Sequence, residues 1–495
     1  MTSTKKTGLK YYSSVLFKGS IAQTLSHGAT NLVSLLLLPI ITAYLSPNDF
    51  GIFSMVGTVA TFLSLIYNPG ILSATMRLYH DTNSETERKI IIGSAMKFVN
   101  YFPLICTAFF LIVGPLVFPL VFSKFSFYPW GVFAIILAYF TQNNRMWSTL
   151  MSLEYKVYIT ALYSFLSIIL GMTVTLVLVV GFKLGALGKV IGMFPPTLLI
   201  YFIAIHAINK YSEGLWSFGS IKNQLKLGFP LIIAIWSYSI LDIADRYLLE
   251  RMVDIESVGI YSLGYKLAQM PMFFVMGARQ LWNPVFYDNM NKKDYKTVSR
   301  LAEAYIVLIS LVNVFVILYA KEITLLLINK RYENAIPIIG VIVIGIYFSA
   351  MLTITNSILG FKKQFGTTSV IAFIAAVTNI GLNLLLIPKY GIMASAFATA
   401  VSYFIYLFMG LWRSREVLSY LKFMPAFLLS LLAIILAYVL TLQFTVYRIC
   451  IVDVSIKMLF ILMYVVLIFA LRIMSYSDVK SVVSLIKNRF GKKND

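Results

Sequence analysis

The sequence predicts an all-α integral membrane protein of about fourteen transmembrane helices. Two six-helix halves related by a pseudo-two-fold duplication are followed by two C-terminal helices. Three observations carry this. Hydrophobic residues make up 59% of the chain and charged residues 12%, with a mean hydropathy of +0.83, whereas soluble domains are roughly a quarter charged. The apolar residues form continuous runs near the ~20 residues that cross a bilayer, not the alternating ~10-residue segments of a β-barrel. Short motifs also recur at a nearly constant offset.

In chain order the first half holds spans at 17–45, 51–78, 89–122, 127–150, 157–181 and 184–208. The second holds 226–250, 256–287, 298–320, 335–360, 367–387 and 390–412, and two more follow at 422–444 and 450–473. Residues 1–208 therefore read as an N-terminal lobe, 209–421 as a C-terminal lobe, and 422–495 as two added helices with a basic tail. Asn68-Pro69-Gly70 should interrupt the second span and Pro195-Pro196 the sixth, because proline lacks an amide proton. Pro271 should loosen the eighth, and Gly188 with Gly192 forms a small-xxx-small pair suited to close packing.

The duplication rests on Gly51-Ile52-Phe53-Ser54 recurring as Gly259-Ile260-Tyr261-Ser262, an offset of 208. Leu78-Tyr79-His80-Asp81 resembles Val285-Phe286-Tyr287-Asp288, and Lys183-Leu184-Gly185 matches Lys389-Tyr390-Gly391 at offset 206. Six spans per repeat give both halves one direction in the membrane, the parallel arrangement in which substrate is handled between repeats.

The net charge of +21 does not imply nucleic-acid binding, because Lys and Arg sit in alternate loops. One set includes Arg88 and Lys89, Lys210 and Lys222, Lys292, Lys293, Lys296 and Arg300, then Lys362 and Lys363. The opposite loops hold Lys124, Lys183 or Lys389 alone, so the positive-inside pattern puts both termini in the cytoplasm. Cys106 and Cys450 imply neither a disulfide framework nor a metal site. The N-terminal apolar run has no small-residue cleavage site and should be retained.

Charges inside spans point to function, since each costs roughly 2.5–3.5 kcal/mol at the bilayer centre on insertion scales. Asp242, Asp245 and Arg246 lie in the seventh span, on a polar face with Tyr238 and Ser239. Asp242 and Arg246 can neutralise each other at i,i+4, whereas Asp245 has no second cation on its helix, which favours ion coupling or gating. In the first span Ser20, Gln23, His27, Asn31 and Ser34 fall within a sector of roughly 80°, a second polar stripe. Arg145, in the polar turn Thr141-Gln142-Asn143-Asn144-Arg145, and Lys266 head the cations of a basic cavity for an anionic headgroup. Arg77 and Arg279 complete that set, and both can also snorkel to an interface. There is no Walker A motif, no HExxH and no GxSxG, so no enzyme activity, cofactor or metal is expected.

Several segments resemble the polysaccharide-exporter branch of the multidrug/oligosaccharidyl-lipid/polysaccharide (MOP) superfamily. They are Asp242-Ile-Ala-Asp245-Arg246 followed by Val258-Gly259-Ile260-Tyr261-Ser262, Leu45-Ser46-Pro47-Asn48-Asp49-Phe50-Gly51, and Tyr390-Gly391-Ile392. The resemblance implies an O-antigen or capsule flippase of the bacterial inner membrane, moving an undecaprenyl-pyrophosphate-linked oligosaccharide by alternating access. It also implies contact with membrane lipids, H+ or Na+ as coupling ion, and a polysaccharide polymerase and chain-length regulator as partners. Arg145 and Lys266 would then contact pyrophosphate or acidic sugar, and Asp242 and Asp245 would serve coupling. A multidrug or cation antiporter on the same fold would favour acidic cavity residues; a lipid II flippase is the other alternative.

Overall fold

The computed structural model describes Gly28 and residues 32–229, 232–443 and 451–474, with backbone alone at 233 and 234. Every regular element among them is helical. The chain forms two compact units. Unit 1 comprises Met1–Leu263, Leu327–Tyr332 and Asn383–Ile392; unit 2 comprises Gly264–Leu326, Glu333–Leu382 and Met393–Asp495.

Unit 1 holds α1 (Leu38–Tyr44), α2 (Pro47–Tyr67), α3 (Ile71–Asp81), α4 (Glu85–Val121), α5 (Val132–Leu153) and α6 (Val157–Leu176). It continues with α7 (Gly185–Ile191), α8 (Phe194–Ser212), α9 (Phe218–Gly228), α10 (Ile232–Met252) and the first part of α11 (Ile255–Ala268). Local chemistry sets these ends. Ser46 and Asp49 make a reciprocal capping box: the Asp49 amide donates to Ser46 Oγ at 3.1 Å and the Ser46 amide to Asp49 Oδ2 at 3.0 Å. The expected breaks are present. α2 and α3 are separated at Asn68–Gly70, where Gly70 has φ +77°. α7 and α8 part at Gly192–Met193, so proline enters the first turn of α8, where no amide proton is needed. A β-carbon on Gly192 would lie 2.2 Å from Thr175 Oγ1, so a side chain here would force Thr175 to move.

Unit 2 holds the rest of α11, then α12 (Met270–Asn291), α13 (Tyr295–Leu318), α14 (Ala320–Leu327), α15 (Ile336–Phe361) and α16 (Phe365–Tyr390), whose last turns belong to unit 1. α17 (Ile392–Leu418), α18 (Met424–Thr441) and α19 (Ile451–Ala470) complete it. The eighth expected span is divided at Gln269, with Pro271 in the first turn of α12. The two added helices are fastened to α13: the Tyr464 hydroxyl lies 2.7 Å from Ser310 Oγ and 2.9 Å from Ser430 Oγ, all three buried.

Ten segments among the described residues are long and apolar enough to cross a bilayer, so this is a multi-pass membrane protein. The four remaining expected spans are the first, of which 17–27 and 29–31 lie outside the described residues, and the fourth, seventh and eighth. The last three are α5, α10 and the divided α11–α12, which carry the polar residues and the break.

The sequence repeat has a physical counterpart inside unit 1. A β-carbon on Gly51 would lie 1.9 Å from the Ile255 carbonyl oxygen, and one on Gly259 would lie 1.9 Å from that of Pro47. Shifted forward by 208, Gly51 and Pro47 become Gly259 and Ile255, so the offset exchanges the two contacts. Ser54 and Ser262, equivalent residues, meet at 2.6 Å between hydroxyls. α2 and α11 thus cross as near-equivalent partners with backbones touching, which only glycine permits. Gly259→Ala is expected to destabilise the protein by about 1–3 kcal/mol through overpacking, read as a lower unfolding midpoint in detergent. An unchanged midpoint would show that the crossing yields without cost.

Candidate functional site

Asp245 sits on α10 in the interior of unit 1, 1% exposed. The Tyr261 hydroxyl donates to its Oδ2 at 2.5 Å, and the Asn383 side-chain amide donates to its Oδ1 at 2.8 Å. Tyr261 comes from α11 and Asn383 from the end of α16; both are fully buried. One carboxylate therefore joins three helices. Burying it costs several kcal/mol by desolvation, partly offset by charged hydrogen bonds at about 1.5–3 kcal/mol each.

Arg246 points a different way. Its Nε donates to Ser262 Oγ at 3.2 Å and its Nη1 to the Asp242 carbonyl at 2.5 Å. Ser262 is the hydroxyl that meets Ser54, so Arg246 is linked to the α2–α11 crossing. Asp242 is exposed. The polar face expected of the seventh span is therefore split, with Asp245 turned inward and Asp242 outward. The reason is angular: three residues advance a helix by about 300°, which leaves the two carboxylates ~60° apart.

Further bonds tie other segments of unit 1 together. The Tyr332 hydroxyl donates to the Leu45 carbonyl at 3.1 Å, and the Asn329 amide to Thr42 Oγ1 at 3.2 Å. Asp49, already in the capping box, also accepts from the Ala186 amide at 3.3 Å through Oδ1. Glu250, fully buried one turn beyond Arg246, accepts from the amides of Lys124 and Phe125 at 2.5 and 2.9 Å.

The expected cations fall in both units. In unit 1, Arg145 is exposed on α5, next to a Gln142 that is fully buried with neither amide atom hydrogen-bonded. Arg77 is exposed on α3 and lies 3.8 Å from Asp81, as an interfacial snorkelling residue does. In unit 2, Lys266 is half-buried on α11, and Arg279 of α12 is exposed with Nε donating to Thr353 Oγ1 at 3.1 Å. The stripe Gln23, His27 and Asn31 lies outside the described residues, as do Cys450 and the basic tail. Among the described residues no group of three or more His, Cys, Asp or Glu is placed to hold a metal.

Two charged features were not singled out from the sequence. One is Glu250, hidden in the same helix as Asp245. The other, in unit 2, is a buried cluster where Lys457 Nζ of α19 lies 2.5 Å from Glu322 Oε1 of α14, and Lys321 Nζ lies 3.7 Å from Asp453 Oδ2. Asp453 and Lys457 interrupt the apolar run of the last span, which was the available signal. Beside them is a cavity of about 160 Å³ walled partly by Lys321, Lys457 and Tyr438.

Residues 16–290, more than half of the chain, match the polysaccharide biosynthesis protein family. An uncharacterized membrane protein of Methanocaldococcus jannaschii is 25% identical over 292 residues, 57% of this chain and 54% of that protein. The match thus spans about half the length of that curated relative. Among solved structures, the lipid II flippase MurJ in an inward closed conformation superposes with a TM-score of 0.73 at 18% identity, covering 92% of this chain and 100% of that one. An inward-facing multidrug resistance MATE family transporter of the MOP superfamily gives 0.63 at 11% identity, covering 82% and 98%. A MOP superfamily transporter from Pyrococcus furiosus gives 0.57 at 12%, covering 82% and 95%. Such identities establish likeness of fold. The family match places the chain in the polysaccharide biosynthesis protein family, and its fold is the one shared by these MOP superfamily structures.

Proposed function

We propose that this protein is a flippase, not an enzyme, moving a lipid-linked oligosaccharide across the bacterial inner membrane. Its substrate is an undecaprenyl-pyrophosphate-linked O-antigen or capsule repeat unit, and both termini are cytoplasmic. The lobes at 1–208 and 209–421 alternate between inward- and outward-open states, with 422–495 appended. The observation that carries the reading is Asp245, a carboxylate buried in an apolar bundle and shared by three helices. An ionisable side chain inside a membrane-embedded bundle is by default a candidate for function.

Arg145 and Lys266 engage pyrophosphate or acidic sugar, aided by Arg279 and, from the interface, by Arg77 as the substrate enters, while Asp242, Asp245 and Arg246 couple H+ or Na+ to the transition or gate it. Gln23, His27 and Asn31 extend the polar lining. A polysaccharide polymerase and a chain-length regulator receive the product. A second reading, lipid II transport, is favoured by the likeness to MurJ over the length of the chain. The test expresses Arg145→Ala and Lys266→Ala separately in a host lacking its own repeat-unit exporter. Each is expected to lower surface polysaccharide and raise internal lipid-linked repeat units by about tenfold, the factor that ~1.4 kcal/mol of binding represents. Normal export from both at normal protein levels rejects the cationic cavity. Rescue of a lipid II flippase deletion by the wild-type chain, without any export of repeat units, selects the second reading.

A further inference from the structure

A groove in unit 1 has no part in the transport scheme. Two cavities of about 630 and 220 Å³ adjoin on either side of Lys97 and Tyr101 of α4. The larger is walled by Phe98, Phe102, Trp216, Phe218 and Lys222, and no acidic residue lines it. Its volume lies within the ~300–1,000 Å³ common for small-molecule sites.

The wall is fixed in place. A β-carbon on Gly93 would lie 1.8 Å from the Leu215 carbonyl, so only glycine lets the 213–217 loop lie on α4. The Ser217 amide donates to Ser94 Oγ at 2.9 Å. The fully buried Gln224 of α9 donates to the Ile91 carbonyl at 3.0 Å and accepts from Thr75 Oγ1 at 3.0 Å. Loop and helix are thus held against α4 while Trp216 and Phe218 stay exposed, at 51% and 74%.

Depth and charge identify the occupant. The 37 residues of α4 extend about 55 Å, well beyond a ~30 Å hydrocarbon core. Counting ~20 residues back from Val121 ends near residue 102, so Lys97 and Tyr101 stand at headgroup level. Aromatic side chains at that level suit an interfacial belt, and lysines at that level complement the negative charge of lipid phosphate. We propose that this groove binds one anionic glycerophospholipid, its phosphate between Lys97 and Lys222 and an acyl chain along Phe98 and Phe102. The inference requires membrane insertion but not the transport reading.

Trp216 supplies the probe. The full chain is reconstituted in phosphatidylcholine bilayers containing phosphatidylglycerol brominated on its acyl chains, and the quenching of Trp216 is taken as wild type minus Trp216→Phe, which removes the other five tryptophans. Half-maximal quenching is expected at a lower mole fraction of brominated phosphatidylglycerol than of brominated phosphatidylcholine. Lys97→Ala and Lys222→Ala should each reduce that preference about fivefold. Lys222 is exposed on α9, so its variant tests the site without disturbing the fold. Equal quenching by the two bromolipids, or a preference unchanged in both variants, overturns the proposal. So does displacement by equimolar undecaprenyl phosphate, which would assign the groove to a polyprenyl lipid.

Discussion

Asp245→Asn is expected to leave the protein folded and to lower export by about 5- to 150-fold, the range that a coupling energy of ~1–3 kcal/mol spans. The asparagine keeps the shape and one acceptor oxygen, so a bond to Tyr261 or to Asn383 survives while the charge is lost. Asp245→Leu is the structural control. It leaves a buried hydroxyl and a buried amide without their acceptor, at about 1–3 kcal/mol for each orphaned group, and should lower the unfolding midpoint as well. The measurement is export of lipid-linked repeat units from vesicles under an imposed H+ or Na+ gradient. Wild type should respond to one of the gradients and Asp245→Asn to neither. A variant that exports normally and keeps its gradient dependence would make Asp245 a hydrogen-bonding strut and nothing more.

Lys457→Met should produce the largest loss of stability, about 3–5 kcal/mol, because it strands a buried carboxylate. Lys457 is 1% exposed and Glu322 6% exposed, so the stranded carboxylate would remain poorly solvated. The pair Lys457→Met with Glu322→Leu should recover most of the loss, since two apolar groups of similar volume need no desolvation. Unfolding midpoints of the two single variants and the double variant test this. Additive losses in the double variant would mean that the two side chains do not depend on each other. Because Lys457 lies on α19 and Glu322 on α14, such a result would also uncouple the last helix from α14. That helix is held independently through Tyr464, Ser310 and Ser430.

Much of the fold was legible because its signals are local. A run of apolar residues long enough to cross lipid must be helical, since lipid offers its backbone no partners. Proline and glycine announced the divisions at Asn68–Gly70, before Pro195 and before Pro271. The repeat was visible as Gly51 and Gly259, and the reason for those glycines, two backbones in contact, emerged only in three dimensions. Short polar helices were harder. α9 reads as a loop from Lys222-Asn223-Gln224, and it is helical because Gln224 is held by α3 and α4. α14 likewise falls between the ninth and tenth apolar runs, although it carries Lys321 and Glu322 into the interior of unit 2.

The site divides in the same way. That Asp245 needs an internal partner follows from its sequence neighbourhood, because an isolated carboxylate among apolar residues is expensive wherever the helix goes. Which groups answer it does not follow. Tyr261 lies 16 positions away and Asn383 138, and neither stands in a recognisable spacing. By itself the sequence determined the membrane class, the helical repeat and the residues that could not be left in lipid. Tertiary structure alone decided which carboxylate turns inward, because burial depends on the neighbours that long-range packing brings together, and hydrophobic periodicity records only that a neighbour exists.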